Sequence, residues 1–112
     1  MRRLTLTLLV LIACNHKPQK TDAPQIFEVV VNKDGFVPPR IEVAPGQQVV
    51  LRITRKVAET CADAVDVEGD PVRHMLPLDQ TVEVRAKAKA SGELAFACPM
   101  NMIRGAIAVV GQ

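Results

Sequence analysis

The sequence predicts an all-β domain, a sandwich of about seven short strands. Three observations carry this expectation. Apolar and polar residues alternate over short runs, as in residues 48–54, which is the period of a half-buried strand. Turn sequences such as Ala44-Pro45-Gly46 and Ala90-Ser91-Gly92 separate these runs. No segment sustains an apolar period of 3.6 over three turns.

Each element follows from its residues. Residues 26–31 are β-branched and aromatic and read as the first strand. Gly35-Phe36-Val37-Pro38-Pro39 breaks the pattern. In residues 40–43, Ile41 and Val43 share one face. In residues 48–54, Val49, Leu51 and Ile53 point one way and Arg52 and Thr54 the other. Residues 57–63 are irregular, and Glu68-Gly69-Asp70-Pro71 reads as an acidic turn. Val82 and Val84 mark a strand over residues 81–85. The Ala/Lys run at residues 86–90 is the only helix-like composition, and it is short. Leu94, Phe96 and Cys98 alternate on the next strand, and residues 106–110 form the last.

The N-terminus has a different character. Arg2 and Arg3 precede a ten-residue apolar run, residues 4–13, too short to span a bilayer and suited to a secretory signal. The run closes as Leu11-Ile12-Ala13-Cys14, which resembles the bacterial lipobox. Cys14 is therefore the expected lipidation site, anchoring the protein to the inner or outer membrane at the periplasmic face. The expected organisation is a signal peptide at 1–13, a flexible tether at 14–25 and one domain at 26–112. His16 lies in the polar, proline-containing tether and is expected to be solvated.

Composition narrows the function. The 112 residues are 48% hydrophobic and 23% charged, as in ordinary globular domains. With three Phe, no Trp and no Tyr, the chain lacks the stacking platforms of single-strand nucleic-acid binders. The net charge of +2 falls away with Arg2 and Arg3, leaving no phosphate-tracking surface. Nucleic acid is thus not an expected partner, and a monomer is expected. Two His are too few for a three-His catalytic zinc site. No Cys-x-x-Cys, Gly-x-Ser-x-Gly or phosphate-cradling glycine loop occurs, so an enzyme is not expected. Asp63, Asp66, Glu68 and Asp70 lack the pattern of a calcium loop and read as a polar loop.

The chemistry concentrates in Cys61 and in the segment Cys98-Pro99-Met100-Asn101-Met102. On an extended strand, Cys98, Met100 and Met102 would share a face. In a tight loop they would gather around one point. Thiolate and thioether are soft donors, suited to Cu(I) and poorly suited to Mg, Ca or Mn. On spacing alone three states stay open. The segment holds a soft metal, or Cys61 and Cys98 form a disulfide worth roughly 4 kcal/mol in the chain-entropy model, or the thiols and methionines are inert core.

Three motifs extend this reading. Residues 35–49 contain Phe36-Val37-Pro38, Ile41-Glu42-Val43 and Gly46-Gln47-Gln48-Val49. Residues 92–98 read Gly-Glu-Leu-Ala-Phe-Ala-Cys, and residues 105–109 read Gly-Ala-Ile-Ala-Val. In this order they resemble the cupredoxin family, with Leu94 where that family usually has Tyr. The resemblance covers about residues 26–112. It implies a Greek-key β-sandwich with a copper site at one end. By position, Cys61 falls where the family's first His would be, Cys98 matches the copper Cys, and Met102 matches the terminal Met. Met100 lies nearest the missing second His. Thr60-Cys61 with Cys-x-Met-x-Met is most similar to noncanonical cupredoxin-like domains near the iron-uptake-type group. The implied ligand set is Cys61, Cys98, Met100 and Met102, all sulfur, which favours Cu(I) over Cu(II). It implies copper(I) binding, delivery or buffering, with a copper-trafficking or redox protein as partner. Electron transfer is the alternative function, and a metal-free docking domain held by a Cys61–Cys98 disulfide is another.

Two further segments need a reading. His74 is expected to be a partly exposed strand residue and Met75 beside it a core residue, with a role for either as an extra ligand or a gate as the alternative. The basic stretch at residues 52–56 is expected to be a solvated strand end.

Overall fold

Two sheets face each other across an apolar core in the computed structural model, which describes residues 19–110. The expected signal peptide, Cys14 and His16 lie outside the described residues. Nine strands follow in order: β1 Gln25–Asn32, β2 Gly35–Val37, β3 Arg40–Val43, β4 Gln48–Arg55, β5 Ala64–Val67, β6 His74–Met75, β7 Thr81–Lys87, β8 Glu93–Ala97 and β9 Arg104–Val109. One sheet has the order β2-β1-β4-β7, and the other β3-β9-β8-β5-β6. β1 runs parallel to β4 and β3 parallel to β9, and the other pairings are antiparallel.

The all-β sandwich stands, with more strands than expected. The segment at residues 35–39, read as a break, contains β2, which closes a hairpin on β1. β5 and the two-residue β6 were hidden by the charged residues around them. Asp66 sits within β5, where Arg73 holds it through two hydrogen bonds of 3.0 Å. The Ala/Lys run forms no helix. β7 continues to Lys87 because it pairs with β4 through Gln48, so sheet pairing overrides local composition.

The faces read from the sequence for residues 40–43, 48–54, 81–85 and 94–98 point into the core, and β1, β5 and β9 add to it. Val29, Val31, Leu51, Ile53 and Val84 of one sheet are buried, as are Ile41, Val43, Val65, Phe96 and Ile107 of the other. Each such side chain contributes about 1.5–3 kcal/mol of hydrophobic stabilisation. Phe36 and Phe96 meet edge to face with ring centroids 5.1 Å apart. Phe96 also covers Gly105, its partner in the β8–β9 register, so closely that an added Cβ would lie 2.3 Å from the ring.

The two poles of the sandwich differ in use. At the start of β4, Gln47 is fully buried. Its Oε1 accepts from Thr21 N–H at 2.7 Å, and its Nε2 donates to Ala23 O at 3.1 Å. The last residues of the expected tether are thus fastened to the domain. The other pole lies beyond Arg55, some 23 Å along β4 at about 3.3 Å per residue. There the loops that follow β4 and β8 meet.

Candidate metal centre

The β8–β9 connection is tight, and its backbone explains the position of Cys98. Pro99 presets the first bend of the turn, Asn101 N–H donates to Cys98 O at 2.8 Å, and Asn101 takes a φ of 60°. Asparagine tolerates that left-handed conformation better than most residues. Cys98 N–H then donates to Ile103 O at 2.9 Å. The turn directs Cys98 inward, where it is 2% exposed, while Met100 and Met102 project outward, 71% and 74% exposed.

Cys61 comes from the irregular loop between β4 and β5. Thr60 Oγ accepts from Ala62 N–H at 3.1 Å and shapes the backbone around it. The loop is held from below by Arg55. Its guanidinium donates to Ala58 O at 3.0 Å, to Val57 O at 3.4 Å and to Leu76 O at 2.6 Å. Arg55 is thus not a solvated strand end, as its basic neighbourhood suggested. Three carbonyls draw it in, and it ties the Cys61 loop to the segment after β6. Nothing in the sequence signals this role, because the acceptors are backbone groups brought together only by folding.

The two thiols meet. Cys61 Sγ lies 2.9 Å from Cys98 Sγ, and both cysteines are free. Ile103 N–H donates to Cys98 Sγ at 3.3 Å. Burial pushes the Cys98 thiol up. The hydrogen bond from Cys61 and the backbone around Ile103, Met102 and Met100 outweigh it and hold Cys98 below the ordinary thiol value. Cys61 moves the other way. Its hydrogen bond to Cys98 raises it, and burial and the charge on Cys98 add to this. The shared S–H···S hydrogen bond thus holds Cys98 below and Cys61 above the ordinary thiol value, and the two protons belong to the pair.

Cys61 and Met100 line one cleft of about 430 Å³ with Thr60, Asp63, Arg73 and Met75. Met75, expected in the core, is 60% exposed. β6 lies at the edge of its sheet, and it is Leu76, fully covered at 1% exposure, that turns inward. His74 is a half-buried strand residue as expected, and its Nε2 lies 2.9 Å from Asp70 Oδ2. The structure thus joins Cys61 to Cys98 and places Met100 on their cleft. Met102 stands on the same loop, away from the lining.

The donor chemistry selects among metals. Among the described residues, no three His, Cys, Asp or Glu side chains group to hold a metal ion. Donors beyond the two thiolates would come from thioethers. Such a set fits a soft monovalent ion and not a hard oxygen-seeking one.

This chain matches the family described as cupredoxin-like domain over residues 4–109. A comparison with curated proteins gives no match. Among solved structures, a copper-binding protein determined in its apo form by NMR is 27% identical. The match covers 87% of this chain and 98% of that one, with a TM-score of 0.70. The metal-binding domain of the Cu(I)-exporting P-type ATPase CopA of Streptococcus pneumoniae D39, solved with Cu(I), is 20% identical. It covers 84% of this chain and 93% of that one, with a TM-score of 0.72. Reduced auracyanin from Roseiflexus castenholzii is 15% identical, covering 80% and 99% with a TM-score of 0.55. The last two share the fold. With the family match spanning nearly the whole described domain and the expected motifs on its strands, the chain belongs to the cupredoxin-like domain family.

Proposed function

We propose that this protein binds Cu(I) and buffers or delivers it in the cell envelope as a lipid-anchored domain rather than an enzyme. One observation carries the reading. Two free thiols lie 2.9 Å apart at the loop pole of a cupredoxin fold, with Met100 and Met102 on the loop that carries Cys98. Cys61 and Cys98 would hold the ion, with Met100 and Met102 completing its shell. Bound copper would supply a soft, monovalent cargo site. The copper-binding relative at 27% identity supports this assignment. Among the described residues the one histidine, His74, is engaged with Asp70 outside the thiol cleft. This favours Cu(I) storage over the two-His electron-transfer centre of blue-copper proteins.

The signal-like residues 1–13 and Cys14 support export and lipidation. The fastening of Thr21 and Ala23 to Gln47 bears on presentation. It lies at the pole of the sandwich opposite the thiols, which would suit a copper end facing away from the membrane if Cys14 is lipidated.

An anaerobic Cu(I) titration of the reduced protein against a coloured chelator tests the function. Tight one-to-one binding, weakened by Cys98→Ser and by Met102→Leu, is expected. Failure of the reduced protein to compete would overturn it. The short sulfur–sulfur distance also favours a second reading, a disulfide-held domain without metal. A protein purified without reductant at a mass two hydrogens lighter, and indifferent to Cu(I) after reduction, would establish that reading instead.

A further inference from the structure

We infer that Met75 and Met100 form a thioether subsite for a soft monovalent cation at the mouth of the Cys61–Cys98 pair, through which the ion is taken up and released. The inference rests on the copper reading above. It assigns a role to a residue on β6, outside both ligand loops.

This cleft gives one route to the thiols. Cys98 is 2% exposed and is not on the cleft wall, whereas Cys61 lines it. An ion arriving through this cleft therefore meets the wall first, then Cys61, and Cys98 last. Met75 and Met100 are the two thioethers on that wall. Both are more than half exposed and free to change rotamer.

Their backbones are nevertheless fixed. Met75 pairs with Ala64 in the β5–β6 register, and Leu76 N–H donates to Asp63 O at 2.8 Å. Arg55 holds Leu76 O from the far side. Met100 lies in the turn closed by the Asn101 N–H to Cys98 O hydrogen bond. Mobile sulfur on anchored backbone suits a ligand that accepts an ion and passes it on.

Proton chemistry separates the two stages. A thioether binds a cation without losing a proton, whereas each thiol must release one. The Met75–Met100 subsite therefore needs no proton loss to hold an ion. Transfer inward then sends the thiol protons to solvent, and copper stays Cu(I) throughout. The wall also carries two charges. Asp63 attracts a cation, and Arg73 is paired with Asp66 through two hydrogen bonds of 3.0 Å.

The test uses the full chain labelled with ¹³C-methyl methionine and titrated anaerobically with Cu(I). A Cys61→Ser/Cys98→Ser variant is titrated alongside. Amide spectra of each variant confirm folding, and Met→Leu variants assign the methyl signals. In the thiol-free variant, the Met75 and Met100 methyl resonances are expected to shift together as weak binding saturates. In the otherwise unchanged protein, Met75→Leu is expected to slow Cu(I) transfer from a chelator several-fold and leave the final affinity nearly unchanged. A Met75 methyl resonance that stays in place in the thiol-free variant overturns the subsite. So does an unaltered transfer rate in Met75→Leu. Tight binding by the reduced, unsubstituted protein in the same titration would leave the copper reading standing after either result. Absence of that binding would remove the copper reading, while shifting methyl signals would still establish the thioether subsite.

Discussion

Cys98 lies almost wholly buried 2.9 Å behind Cys61, which alone of the two faces the cleft. The two sulfurs are equal in chemistry and unequal in surroundings. Cys98 Sγ accepts from Ile103 N–H at 3.3 Å, and the two thiols share one hydrogen bond. This asymmetry governs both proton loss and metal access.

Copper affinity should therefore rise with pH. Binding displaces thiol protons, and alkaline conditions remove the competition. Cys98 should deprotonate below 9.0 and Cys61 above it. Ultraviolet thiolate absorbance of the metal-free protein should resolve two separate steps for the pair, and Cys61→Ser should keep only one of them. A single step at the ordinary thiol value would contradict the asymmetry.

Oxidation should close the pair. Diamide would accept two electrons and two protons as the Cys61–Cys98 bond forms. The chain-entropy model gives up to about 4 kcal/mol of stabilisation for a loop of this length. Denaturant unfolding with and without reductant should show the gain, and the oxidised form should no longer compete for Cu(I). Retention of full Cu(I) affinity after oxidation would remove the thiols from the site.

Gly105→Ala should destabilise the domain, because the new Cβ would fall 2.3 Å from the Phe96 ring in the core. Overpacking of this kind costs about 1–3 kcal/mol or more. The same strands carry the Cys98 loop, so copper affinity should fall as well. An unfolding midpoint equal to that of the parent would show that the ring has room to move.

Arg55→Met should loosen the Cys61 loop. The substitution keeps an apolar stem and leaves the carbonyls of Val57, Ala58 and Leu76 without their shared donor. A charge-assisted hydrogen bond of this type contributes about 1.5–3 kcal/mol. Exchange of the Cys61-loop amides should quicken, and Arg55→Lys should restore part of the protection. Unchanged exchange in Arg55→Met would show that the loop holds itself.

Acid should weaken the fold. Arg73 lowers the Asp66 carboxyl, Lys89 that of Glu68, and His74 that of Asp70, each through a hydrogen bond. In this window the unfolded chain binds more protons than the folded one, so stability rises with pH. The contribution is present above the ordinary values of 3.8 and 4.5 and is lost as pH falls through the lower folded ones. The melting temperature should drop on acidification through this range. A flat profile would show that these exposed pairs add nothing.

Much of this molecule was legible in its order of residues. Alternation marked β3, β4, β7 and β8, because a half-buried strand must place apolar side chains on one face, and β1 and β9 also read as strands. The Cys98 segment stood out because soft donors at close spacing are chemically distinctive. β5 and β6 were not legible. Both are short, and their polar side chains find partners in loops, Asp66 with Arg73 and His74 with Asp70.

By itself, the chain determined the all-β class, the inward faces of four strands and the sulfur character of the candidate site. Those properties depend on local period and on side-chain chemistry. The tertiary structure decided which sulfurs meet. Cys61 and Cys98 are 37 residues apart, and only the packing of two loops at one pole sets them 2.9 Å apart. It also brought Met75 out of the expected core and gave Arg55 three carbonyls to hold. Contacts across two sheets and between distant loops depend on the whole register, which no short stretch of sequence contains.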